Sequence, residues 1–289
     1  MRWEGRRQSD NVEDRRSAGQ QAVIGGGLLT LVIMIVMMFL GVDPMQLMRM
    51  APELAGGPAP ASAPGKPIND DVSKFLKTVL ADNEDVWACI FPRAFNAKFA
   101  PTKLVMFTGQ VRSGCGIASA GAGPFYCPTD KTVYIDPTFY EELKRRFGAP
   151  GDFAQAYVIA HEIGHHIQNQ LGLAQQVQNM QRRASSQVDA NAMSVRLELQ
   201  ADFLAGVWAR HMAQYAGILD EEDIREAVNA AAAIGDDRIQ KQAQGYVQPE
   251  AFTHGTSEQR VRWFLYGLKT DSPDLVRARM MEAFERDNP

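Results

Sequence analysis

Polar and apolar positions are distributed unevenly along the chain. Residues 1–21 are mostly polar, and residues 22–42 (AVIGGGLLTLVIMIVMMFLGV) then run for 21 residues without a charge. At about 1.5 Å of rise per residue such a run matches a hydrocarbon layer of about 30 Å, so one N-terminal transmembrane helix is expected. It is longer than the apolar run of about 7–15 residues in a cleaved signal peptide, which favours an anchor. Residues 43–69 hold six of the 15 prolines and read as a semi-extended linker. The expected division is a cytoplasmic tail (1–21), a transmembrane helix (22–42), a Pro-rich linker (43–69) and one folded domain (70–289).

Within that domain the pattern changes character. Val72, Phe75, Leu76, Val79 and Leu80 recur at helical spacing and predict an amphipathic helix over 70–85. Residues 104–111 (LVMFTGQV) and 132–136 (TVYID) are strand-like, the second ended by Pro137. A helix over 139–147 closes at Gly148 and Pro150, and helices follow over 152–171, 185–215, 221–234, 257–268 and 273–286. Strands that precede helices, rather than alternate with them, indicate an α+β fold that is mainly helical with a small sheet. About 220 residues suffice for one core without staples.

Charge adds two constraints. Arg2, Arg6, Arg7, Arg15 and Arg16 precede the apolar run, while only Arg49 and Lys66 follow it up to Pro67. That asymmetry predicts a single-pass protein of the inner (cytoplasmic) membrane, with its N-terminus in the cytoplasm and its domain on the far side. The formal net charge of -4 and pI of about 5.8, with no basic cluster, exclude a nucleic-acid partner. Three cysteines are present. Cys115 and Cys127 bracket a Gly-rich loop that can close as a disulfide in an oxidising compartment, the alternative being three buried reduced thiols. No Cys-x-x-Cys spacing exists for zinc.

The chemistry concentrates in His161-Glu162-Ile163-Gly164-His165, inside the helix expected over 152–171. Residues i and i+4 share a helical face, so His161 and His165 can bind one metal ion, with Glu162 beside them as a general base. Two ligands leave the set incomplete. Glu198 and Asp202, again i and i+4, lie on a second expected helix among Val195, Leu197, Leu199, Phe203 and Leu204. Glu198 is the candidate third ligand, and Asp202 the candidate partner for the free ring nitrogen of a liganding histidine. One Zn2+ per chain is the expected cofactor. His166 and His211 read as structural.

The segments HEIGHH, ELQADFLAG, CG…GPFYCPTD…VYID and FTHGTSEQR, in that order, resemble the neutral zinc metallopeptidase family, membrane-anchored bacterial proteins with a gluzincin-type site. The resemblance implies a zincin-like catalytic domain and hydrolysis of peptide or protein substrates, with a cysteine pair at Cys115 and Cys127 and ligands at His161, His165 and Glu198. It further implies that His254 donates a hydrogen bond to the reaction's oxyanion, and that Arg260 orients the Glu198–Asp202 side. Peptidases of this class pair an extended substrate with an edge strand. Residues 132–136 are the candidate here, and an interior strand is the competing reading. The segment Ile234-Gly235-Asp236-Asp237-Arg238 also matches, without a role. The rival function is a non-catalytic membrane-tethered binding or assembly protein with a structural metal clamp.

Overall fold

The computed structural model describes residues 1–16, 70–145 and 148–285. The expected transmembrane helix (22–42) and linker (43–69) lie outside them. No helix among the described residues is long and apolar enough to cross a membrane. The fold is α+β and mainly helical, as the pattern predicts.

A four-stranded sheet runs in the order β1 (Val12–Asp14), β2 (Lys103–Met106), β6 (Thr132–Ile135), β5 (Phe125–Cys127). β1, β2 and β6 are parallel, and β5 is antiparallel to β6. A separate hairpin pairs β3 (Gln110–Ser113) with β4 (Gly116–Ser119). The single strand expected over 104–111 is therefore two strands in different sheets. Gly109, at φ 77°, turns the chain between them, a conformation that costs glycine little. The Cys115–Cys127 disulfide ties the hairpin to β5, and Cys89 is free and exposed.

Two further expectations need correcting. Residues 1–16 of the expected tail (1–21) are part of the domain, because Val12 pairs with Leu104, Glu13 with Val105 and Asp14 with Met106. Pattern reading misses this strand because it is three residues long and two of them are acids. Residues 132–136 are not an edge either. Thr132–Ile135 is buried at every position, with β2 on one side and β5 on the other.

The helices are α1 (Asp71–Phe95), α2 (Thr138–Arg145), α3 (Asp152–Gln170), α4 (Leu173–Gln181), α5 (Gln187–His211), α6 (Glu221–Ala233), α7 (Asp236–Gln244), α8 (Ser257–Leu268) and α9 (Pro273–Met281). α1 outruns its expected end by nearly three turns, carrying Trp87, Ile90 and Phe91 into the core. α4 and α7 are too polar to show a core-facing stripe, and the sequence reading lacks both. α3 is the central helix: Phe153, Ala154, Ala156, Tyr157, Ile159 and Ala160 are all buried. Its first turn is capped from outside, since Glu226 of α6 accepts the Phe153 N–H at 3.0 Å.

Small residues set the distances between the helices that carry the chemistry. A Cβ added at Gly164 of α3 would lie 2.9 Å from the Ala201 Cα of α5. A Cβ at Gly206 of α5 would lie 2.0 Å from the Phe264 oxygen of α8, and one at Gly267 2.0 Å from the Phe203 oxygen. Real atoms do not approach so closely, so glycine at these crossings lets α5 nest against both neighbours. α3 brings His161, Glu162 and His165, α5 brings Glu198 and Asp202, and α8 brings Arg260. The tight crossings place all six around one point.

Candidate metal centre and cleft

His161 Nε2 lies 3.1 Å from one Glu198 oxygen, and His165 Nε2 lies 3.5 Å from the other. Each histidine is fixed through its remaining nitrogen. His161 Nδ1 donates to Asp202 Oδ1 at 2.8 Å, and His165 Nδ1 donates to Gln168 Oε1 at 2.9 Å. With both Nδ1 positions protonated, both Nε2 lone pairs face Glu198 across a common centre. Zinc bonds of about 2.0–2.1 Å in tetrahedral arrangement set neighbouring ligand atoms about 3.3 Å apart, so this donor set fits zinc. His161, His165 and Glu198 are the one such cluster of metal-capable groups among the described residues.

Electrostatics point the same way. Burial opposes charge on His161, yet Asp202 and Glu198 together push its pKa up to about 9. Burial likewise opposes ionisation of Glu198, but the two imidazoles hold its carboxyl well below the usual range. Both shifts have one cause, the close approach of carboxylates and imidazoles that a shared cation would also bring together. Glu162 is shifted the other way. Burial raises its pKa, with the histidines and the Tyr126 backbone N–H only partly offsetting that. A carboxylate raised by burial is one tuned to accept and release a proton.

Asp202, fully buried, is the hub of the second layer. Arg260 grips it with Nε to Oδ2 at 2.8 Å and Nη2 to Oδ1 at 3.0 Å. The Tyr157 hydroxyl also donates to Oδ1. Arg260 thus orients the Asp202 side of the centre and makes no hydrogen bond to Glu198. Its Nη1 reaches the Ile234 carbonyl at 3.2 Å. Gln168 does the equivalent work for His165, its amide nitrogen donating to the Leu197 carbonyl at 2.7 Å and Gln200 Oε1 at 3.0 Å.

His161, Glu162, His165, Glu198 and Arg260 line a cleft of about 550 Å³. Gly121–Tyr126, Phe139 and Glu142 of α2, and Ile234, Ile239 and His254 line it as well. β5 is one of the two edge strands of the four-stranded sheet, and its Phe125 and Tyr126 line the cleft, in place of the strand the sequence suggests. His166 pins it there. Its Nε2 donates to the Ala100 carbonyl at 2.6 Å, leaving Nδ1 to accept from the Tyr126 hydroxyl at 3.1 Å, while Asn169 donates to that hydroxyl at 2.9 Å. Burial lowers the His166 pKa, consistent with a neutral ring used for structure. His211 is buried too.

His254 sits on the turn before α8 and faces the cleft, half of its side chain exposed. The turn also caps the helix: Thr256 and Gln259 exchange hydrogen bonds as a capping box. Asp236 gives the unassigned Gly-Asp-Asp segment a role. Its Oδ2 accepts the backbone N–H groups of Thr253 at 2.7 Å, His254 at 2.6 Å and Gly255 at 3.1 Å, while Oδ1 lies 3.2 Å from His254 Nδ1. Asp237 accepts the N–H and hydroxyl of Ser257 at 2.7 and 2.8 Å. A Cβ on Gly235 would strike the Ser257 nitrogen at 2.3 Å, so only glycine fits there. Tyr157 and Gln168 are absent from the sequence reading, which names Asp236 only as part of a matching segment without a role. Helical spacing offered a signal for the first two, since Tyr157 precedes His161 by four residues and Gln168 follows His165 by three.

An i, i+4 histidine pair on one helix and a glutamate from a second, with a glutamate beside the first histidine, define a site of the zinc-metallopeptidase type. The chain belongs to the family described as "Putative neutral zinc metallopeptidase", whose model matches residues 1–277. It is 46% identical over 283 residues to "Uncharacterized protein YpfJ" of Escherichia coli (strain K12), covering 94% of this chain and 96% of that protein. It is 39% identical over 257 residues to "Uncharacterized protein Rv2575" of Mycobacterium tuberculosis (strain ATCC 25618 / H37Rv), covering 82% and 83%. No solved structure matches significantly.

Proposed function

We propose that the protein is a zinc-dependent peptidase that hydrolyses peptide bonds of extended polypeptides, with His161, His165 and Glu198 as ligands and Glu162 as general base. The observation that carries this reading is the convergence of two Nε2 lone pairs and a carboxylate beside an additional, burial-raised carboxylate in one cleft. Zinc held there supplies an acidified water and a Lewis acid for the scissile carbonyl. Glu162 takes the proton from the attacking water and returns it to the leaving amine. His254 donates to the oxyanion that develops as the carbonyl carbon becomes tetrahedral. The substrate backbone lies along β5 and the Gly121–Gly123 stretch leading into it, where main-chain pairing accepts many sequences.

The clamp reading requires a closed site. A structural zinc is closed by four protein ligands, whereas this cluster offers three among the described residues. Removing metal from the purified full-length chain in detergent is expected to abolish cleavage of an unfolded casein substrate, and one equivalent of zinc to restore it. Mass spectrometry of the products reads both. Stoichiometric zinc with no cleavage of casein or a mixed peptide library would overturn the peptidase reading in favour of the clamp.

Asp236 then becomes a positioning residue for His254. Asp236→Asn keeps a carbonyl oxygen for part of the backbone cradle but loses the charge that holds the imidazole. The expected result is a kcat lowered by roughly tenfold, less than the roughly 100-fold or more for loss of an oxyanion donor. KM and bound zinc should stay near wild type, which kinetics and metal analysis would check. An unchanged kcat would show that Asp236 serves the turn alone.

A further inference from the structure

The N-terminal arm and the apolar run make conflicting demands on a membrane. If residues 22–42 cross once, residues 1–16 and residues 70–285 end on opposite faces. The structure joins them. Beyond the β1–β2 register, the Ser9 N–H donates to the Lys77 carbonyl of α1 at 3.0 Å, and the Leu104 N–H to the Asn11 carbonyl at 2.9 Å. Trp3 stacks edge-on against Phe75 with centroids 5.6 Å apart, and its indole N–H reaches Asp152 at 3.0 Å.

The arginines that suggest a cytoplasmic tail are the ones that bind the arm to the domain. Arg6 pairs at 2.7 Å with Asp82, a carboxylate 2% exposed. Arg7 spans Glu84 at 3.0 Å and Asp85 at 2.8 Å. Arg2 donates to the Gly217 carbonyl. Arg16, itself nearly buried, pairs with Asp14 at 2.7 Å and reaches Asp70 at 3.0 Å. That last contact fixes the geometry. Arg16 and Asp70 are 54 positions apart, yet they touch, so the connecting chain leaves and re-enters the domain at one spot.

We propose that the arm and the folded domain lie on the same side of any membrane the protein meets, and that the apolar run is therefore not a single-pass anchor. The arm supplies the first strand of the domain, and the described chain stops at Arg16 and resumes at Asp70 in contact with it, on one face of that domain. Exchange of arms between copies does not escape this conclusion, because a second copy spanning the same bilayer would have its arm separated from every domain in the same way. The arginine asymmetry, spent on ion pairs with the domain, then carries no topological instruction. This inference is independent of the peptidase reading.

Two thiols can report the two parts. Cys89 is the free, exposed thiol of the domain, with Cys115 and Cys127 bonded to each other. Gln8→Cys in a Cys89→Ser background places a lone exposed thiol on the arm. Sealed right-side-out vesicles carrying the full chain are treated with a membrane-impermeant maleimide before and after detergent, and a gel shift reads the labelled fraction. The expected result is parallel behaviour: both thiols labelled in sealed vesicles, or both labelled only after detergent. A chain recovered in the soluble fraction with both thiols reactive supports the same conclusion. Labelling of one position in sealed vesicles with the other requiring detergent would overturn it and restore the single crossing.

Discussion

Glu162→Gln is expected to reduce kcat by about 10²- to 10⁴-fold, the usual contribution of a general acid–base group, while zinc content and melting temperature stay close to wild type. The amide has the shape of the carboxylate and fills the same buried space. It cannot take a proton from water. Stability should not suffer, because burial already works against the charged form of Glu162 and a neutral group escapes that cost. His161→Ala, by contrast, removes a ligand and leaves Asp202 and Glu198 facing each other, so it should lose metal and stability along with activity. Peptide cleavage and zinc analysis on the same preparations separate the two. A Glu162→Gln protein that cleaves at the wild-type rate with zinc bound would remove the proposed base from the mechanism.

The centre was legible in the sequence to the extent that its chemistry is local. His161 with His165, and Glu198 with Asp202, are pairs whose spacing on a helix fixes their common face, and the structure brings both pairs together. What spacing could not supply was the partner across space. Tyr157 reads as one more apolar position on a buried helix until α5 sets Asp202 against its hydroxyl. Asp236 reads as an ordinary first-turn acid until the chain 17 residues later wraps its backbone around it. The sheet was harder. Alternation of side chains tells which face a residue occupies but not which strands flank it, so the interior β6 could be mistaken for an edge. The arm was hardest, because its pairing with β2 spans some ninety positions and is held by arginines whose partners lie on α1, on β1, at Asp70 and at Gly217.

Arg260→Leu tests how far the second layer holds the first. In the wild type Asp202 is 0% exposed and ionised, shared by Arg260, His161 and Tyr157. Removing the arginine strands that carboxylate in the interior, and breaking a buried pair from one side typically costs about 3–5 kcal/mol. At about 2–4 °C per kcal/mol for a domain of this size, the melting temperature should fall by roughly 6–20 °C, measured on the metal-free protein. Asp202→Leu with Arg260→Leu should recover much of that loss, because it takes out both charges and leaves apolar side chains in their place. It should not recover zinc binding. With no carboxylate on His161 Nδ1, the ring loses the partner that fixes its tautomer and orientation, and metal affinity should drop by about 10- to 100-fold in the double variant. Stability and metal affinity would then move in opposite directions between the single and double variants, a pattern that a purely structural ion pair does not produce. A double variant that binds zinc as tightly as wild type would show that Asp202 supports the fold and leaves the orientation of His161 to other contacts.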